Sequence, residues 1–165
     1  MSRHRILLVA AALLCVSAVA FSQAHTRLYP TLIDLPGWKG DSPEGMSMDM
    51  PGMKMVNAVR NYARGGEELT ATLVVGNEQM AQATKQAGSM NIETDKEKIM
   101  VKQIGGYTVQ ILFDKTDQSG SVIVILDEQK PVLFNLVFEG ISDEEALGLA
   151  QRFDWNEMKS LGASL

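Results

Sequence analysis

From residue 56 onward, apolar and polar positions alternate in short runs separated by turn residues, a period of two that predicts β-strands. Leu69, Ala71, Leu73 and Val75 alternate with Glu68, Thr70 and Thr72, so this run buries one face. It pairs in prospect with residues 56–63 across Arg64-Gly65-Gly66-Glu67, a glycine turn suited to a hairpin. Four further strands are predicted at 98–104, 107–114, 121–126 and 132–138, with Gly105-Gly106, residues 115–120 and residues 127–130 between them. Val122-Ile123-Val124-Ile125-Leu126 is apolar on both faces and belongs in the middle of a sheet. The short connections require antiparallel pairing.

Elsewhere the period shifts to that of a helix. Asn77 caps a predicted helix over 77–87 that stops at Gly88 and carries Met80, Ala83, Thr84 and Ala87 on one face. Ser142-Asp143-Glu144-Glu145 is a capping box, and Ala146, Leu149, Ala150 and Phe153 follow as an apolar stripe. Asp154 and Glu157 repeat the capping pattern before Trp155, Met158 and Leu161. The predicted order is therefore β-β-α-β-β-β-β-α: an α+β protein with a single antiparallel sheet of about six strands and packed helices. Residues 25–55, with Pro30, Pro36, Gly37, Gly40, Pro43 and Gly45, read as an irregular N-terminal segment containing a methionine-rich stretch and anchored by Ile33, Leu35 and Trp38. Residues 56–165 form the α+β domain.

Leu35-Pro36-Gly37-Trp38, Tyr62-Ala63-Arg64-Gly65-Gly66 and Ile104-Gly105-Gly106-Tyr107 are turns and core anchors placed as in small exported bacterial proteins of uncharacterised role. In element order and size the chain resembles the PsbP-like fold over about residues 32–162. That resemblance implies a non-enzymatic binding or accessory role.

Residues 1–24 have the layout of a signal peptide: Arg3 and Arg5, an apolar run from 6 to 20, then cleavage sites after Ala18-Val19-Ala20 or Ser22-Gln23-Ala24. A periplasmic or secreted location is expected, without stable membrane insertion after cleavage. The only cysteine, Cys15, lies inside the run, and Leu13-Leu14 before it does not suit lipidation. Removing 24 residues leaves 141, one domain's worth, and moves the net charge from −5 to about −7. That acidity argues against nucleic acid as a partner.

The processed chain would hold no thiol and one imidazole, His25. Thiolate zinc sites, iron–sulfur clusters and cysteine nucleophiles are then excluded, and a Ser-His-Asp triad would depend on a residue at the chain's end. No enzyme is expected. His25 itself reads as a disordered, non-functional residue, or as a Cu(II) chelator if cleavage leaves it first or third. Asp114 to Gly120 departs from calcium-loop spacing and reads as a polar hairpin turn. The acids at 143–145 suit a helix N-terminus better than a metal.

One chemical signal remains. Met46, Met48, Met50, Met53 and Met55 fall within ten residues. Thioethers are soft, uncharged ligands suited to Cu(I) or Ag(I). If Pro51-Gly52 reverses the chain, Met50 faces Met53 and Met48 faces Met55. Against this, the spacing of two is also that of one apolar strand face, and Pro-Gly favours a turn poorly matched to tight hairpins. The leading expectation is thus a monomeric exported binding or accessory protein for a protein or small apolar ligand, with no cofactor. Copper bound at the five methionines is the alternative.

Overall fold

A computed structural model describes residues 23–51, 53–76, 82 and 91–165. The described residues open with a 3₁₀ helix, Ala24–Thr31, followed by β1 (Lys39–Gly40), β2 (Glu44–Met50), β3 (Met53–Arg64) and β4 (Glu67–Val75). After residue 90 come β5 (Ile92–Glu93), β6 (Glu97–Ile104), β7 (Tyr107–Asp114), β8 (Ser119–Asp127) and β9 (Val132–Glu139). Two α-helices close it, α1 (Asp143–Ala150) and α2 (Trp155–Ala163). All nine strands form one antiparallel sheet in the order β1-β3-β4-β9-β8-β7-β6-β5, with β2 also paired to β3. The expected sheet of about six strands is therefore too small. All six predicted strands are present; β1, β2 and β5 are additional.

The reasons for the shortfall are physical. β1 and β5 are two residues long, too short to show any alternation. β2 does alternate, but between methionine and small or acidic residues, on a strand with no fully buried position. Much of the segment expected to be irregular is thus the edge of the sheet: β4 takes one side of β3, so β1 and β2 share the other. Of the helix predicted at 77–87 only residue 82 is among the described residues, and Cys15 of the expected signal peptide lies outside them.

Alternation assigns each face. One face carries Val56, Ala58, Tyr62, Leu69, Ala71, Leu73, Val109, Ile111, Val122, Val124, Phe134, Leu136 and Phe138, all buried in one core with Leu28, Leu32, Leu35 and Trp38. On it pack Ala146, Leu149, Ala150 and Phe153 of the α1 region and Trp155 and Met158 of α2. β8 lies between β7 and β9, as its two-faced apolar pattern predicted. On the opposite face Ile125 and Leu133 make a separate buried pair.

The ends of elements follow local rules. Ser142 Oγ accepts from the Glu145 N–H at 3.2 Å, and Asp154 Oδ1 from the Glu157 N–H at 2.9 Å. Gly65 and Gly66 turn with φ of 57° and 105°, left-handed at both central positions as a two-residue hairpin demands. Among the described residues no helix is long and apolar enough to cross a membrane.

Candidate functional site

The methionine segment is a β-hairpin. β2 runs into β3 with Met50 opposite Met53, Asp49 opposite Lys54, Met48 opposite Met55, Ser47 opposite Val56 and Met46 opposite Asn57. Residues directly opposite in an antiparallel pair project to the same side, with Cβ atoms about 4.5–5.5 Å apart. Met48, Met50, Met53 and Met55 therefore form a two-by-two patch, and Met46 stands one row on, diagonal to Met55. The five side chains singled out in the sequence come together on one face.

This patch does not lie on the core. The ladder between β3 and β4 ends at Val56 and Val75, so Met53 to Met55 continue past the end of β4 as a two-stranded ribbon. Gly76 marks that exit: its φ is +86°, and a Cβ there would stand 2.1 Å from the Lys54 carbonyl oxygen. Met46, Met50 and Met53 are 44%, 46% and 46% exposed, and Met48 and Met55 are half-buried. Met158, by contrast, is fully buried.

The ribbon is held by its back and its base. On the back, Asp49 and Lys54 approach to 3.6 Å, a weak surface ion pair. At the base, Asn57 Oδ1 accepts from the Met46 N–H at 2.9 Å. Ser47, pointing to the core side, lies 3.1 Å from both the backbone nitrogen and Nδ1 of His25. His25 is half-buried in the 3₁₀ helix, its ring 5.8 Å from that of Tyr29 and tilted 55° to it. It is an ordered staple between that helix and β2, which corrects the expectation of a disordered residue. It also sits on the opposite side of the ribbon from the five sulfurs, so imidazole and thioethers do not converge.

Other candidate groups resolve into structural contacts. Asp143 is paired with Lys98 at 2.6 Å, a bond that holds the Lys98 ammonium above its ordinary pKa. Glu145, the partner expected to complete the capping box, reaches Arg64 instead at 2.7 Å. Asp114 Oδ1 accepts from the Thr116 and Asp117 N–H groups, which lowers its pKa and makes the segment a turn. Among the described residues, no group of three His, Cys, Asp or Glu side chains could hold a metal ion. Thioethers lie outside that donor set.

The three turn motifs are packing devices as well. Arg64 lies 4.3 Å above the Trp38 ring and bonds Glu67 and Glu145, joining the first hairpin to the N-terminal segment and α1. Tyr62 donates to the Ile33 carbonyl at 2.8 Å, and its burial pushes the phenol up to about 12. Arg60, beneath the same segment, donates to the Leu32 and Asp41 carbonyls and to Asp34. Tyr107 donates to Asn156 at 2.7 Å and meets Trp155 edge-on. Asn57, Ser47 and Arg60 escape a sequence reading because their partners lie 11 to 28 residues away. No family model, curated protein or solved structure matches the chain, so none of the three supports the PsbP-like resemblance.

Proposed function

We propose that this is an exported, non-enzymatic binding protein for a soft monovalent ion of the Cu(I) or Ag(I) class, held by the thioethers of Met46, Met48, Met50, Met53 and Met55. The observation that carries this reading is the hairpin register combined with exposure: four methionines in two facing pairs, on a ribbon where packing does not require them. A side chain recruited only as filler would be buried, as Met158 is. Several neutral sulfurs suit an ion with low charge and a polarisable shell, whereas magnesium, calcium and zinc favour oxygen, nitrogen or thiolate. Thioethers also need no deprotonation, so binding should be nearly independent of pH around neutrality.

Export fits this chemistry, because thioethers remain ligands where thiols would be oxidised to disulfides. Of the two cleavage sites, the one after Ala20 fits better, since Ala24 is 5% exposed and packs with Leu28 in the core. The apolar reading, in which the same patch receives a protein or small apolar ligand, draws on the same exposure, since methionines make adaptable contact surfaces.

One substitution set separates the two. Replacing Met48, Met50, Met53 and Met55 by Leu keeps apolar bulk and removes sulfur. Wild-type protein should compete with a colorimetric Cu(I) chelator under anaerobic conditions and leave Zn(II) untouched. The Leu variant should melt close to wild type and lose that competition. Equal behaviour of both proteins toward Cu(I) would overturn the soft-ion reading and leave the apolar one.

A further inference from the structure

Resting on the soft-ion function, we propose that Met46, Met50 and Met53 are sites of reversible sulfoxidation by peroxide-class oxidants, and that this modification switches the site off. Access to an oxidant differs among the methionines. These three side chains are 44–46% exposed, Met48 and Met55 are half-buried beside them, and Met158 is fully buried in the same chain. Susceptibility of a thioether follows its exposure to the oxidant. Met100, half-buried against the core, supplies an intermediate case. Among the described methionines the fold thus sorts identical side chains into a graded series with the β2–β3 hairpin at its reactive end.

The step balances without any group from the protein. A sulfur lone pair attacks one peroxide oxygen, a sulfur–oxygen bond forms as the O–O bond breaks, and the departing hydroxide takes the proton of the oxygen now on sulfur to become water. Sulfur loses two electrons and becomes the sulfoxide; hydrogen peroxide is reduced. The product is polar and presents oxygen in place of an accessible soft lone pair. Two properties of the site change together. A hard donor replaces a soft one where a Cu(I)-class ion would sit, and an apolar patch becomes polar.

The location makes the change tolerable for the fold. Among the described residues only β2 pairs with β3 at Met53 to Met55; Met50 and Met53 lie on that ribbon, Met46 lies opposite Asn57 at its base, and all three project away from the core face. A polar oxygen there costs no desolvation, while at Met158 it would be buried among Trp155, Leu149 and their neighbours. The sulfoxides can therefore form and be reduced again with the sheet intact, which a switch requires and an oxidative lesion in the core would not permit.

The test uses metal-free protein and hydrogen peroxide, with oxidation at each methionine followed by peptide mass mapping, and Ag(I) as the probe ion because peroxide does not cycle it. Met46, Met50 and Met53 should oxidise at least about tenfold faster than Met158, with Met100 between. The oxidised protein should keep its wild-type melting transition, lose Ag(I) uptake, and regain it after treatment with methionine sulfoxide reductases. Uniform oxidation rates, or undiminished Ag(I) uptake by the sulfoxide form, would overturn the proposal. If untreated protein takes up no Ag(I) while the order of oxidation holds, the soft-ion function and the switch fall together, and the modification sites stand.

Discussion

Strand β3 contains both of the molecule's regimes. From Val56 to Arg64 it pairs with β4 on one side, and on the other with β2 up to Val59 and with β1 at Tyr62 and Ala63; its core-facing Val56, Ala58 and Tyr62 are 3%, 0% and 2% exposed. Three residues earlier, beyond the last residue of β4, the same strand carries Met53 at 46% exposure. Residue type differs with the face as well: Val56, Ala58 and Tyr62 face the core, whereas Met53 and Met55 stand on the opposite face as long flexible thioethers that pack loosely. In the sheet, a side chain's identity is explained by what it fills. In the ribbon there is little to fill, so repeated methionine asks for an explanation in chemistry rather than in volume.

That contrast can be broken most forcefully in the centre of the sheet. Val124 is fully buried on β8, facing the helices. Val124→Asp buries a carboxylate with no partner and should cost more than about 4 kcal/mol, enough to leave little folded protein. Thermal denaturation followed by circular dichroism reads this directly, and a near-native melting temperature would contradict the packing described here.

A matched pair sharpens the comparison. Met158→Ala should destabilise by about 2–5 kcal/mol, since it opens a cavity in a closed core. Met53→Ala, the same chemical truncation on the ribbon, should stay within about 0.5 kcal/mol. Denaturant titration of both variants side by side makes the measurement. Similar costs at the two positions would show that the ribbon is packed after all. The smallest effect concerns a terminus rather than either region. Ser142→Ala removes the oxygen that accepts the Glu145 N–H and should cost about 1 kcal/mol, leaving Cu(I) competition at the methionines unchanged.

Six of the strands were legible because each is an alternating run or, for β8, a run apolar on both faces, bounded by turn residues, and the two caps because their partners lie three residues away. β7 begins and ends where alternation placed it, at Tyr107 and Asp114. The spacing of two at Met46, Met48 and Met50 offers β2 as a strand face, but its position leaves it inside a segment that otherwise reads as irregular. An edge ribbon buries no side chain fully, so its pattern resembles a polar loop rich in methionine. The disfavoured Pro-Gly connection weighed further against it, yet Met50 and Met53 do pair across that connection. His25 was misjudged for a related reason: its anchor, Ser47, lies 22 residues away and is an ordinary serine in the sequence.

The sequence by itself determined which residues are chemically available. It placed five thioethers within ten residues, left one imidazole and no thiol outside the predicted signal peptide, and set the alternation that commits the long strands to one buried face. These are local properties, decided by residue type and spacing. The spacing also offered the pairing of Met48 with Met55 and Met50 with Met53, on the condition that Pro51-Gly52 reverses the chain; tertiary structure decided that it does and what those side chains face. The antiparallel register sets Met48 against Met55 and Met50 against Met53, the end of β4 leaves them on a ribbon, and the 3₁₀ helix draws His25 to the other side. The physical reason is that exposure and convergence depend on where other strands stop and which face a helix covers, contacts between residues far apart in the chain that spacing along it does not encode.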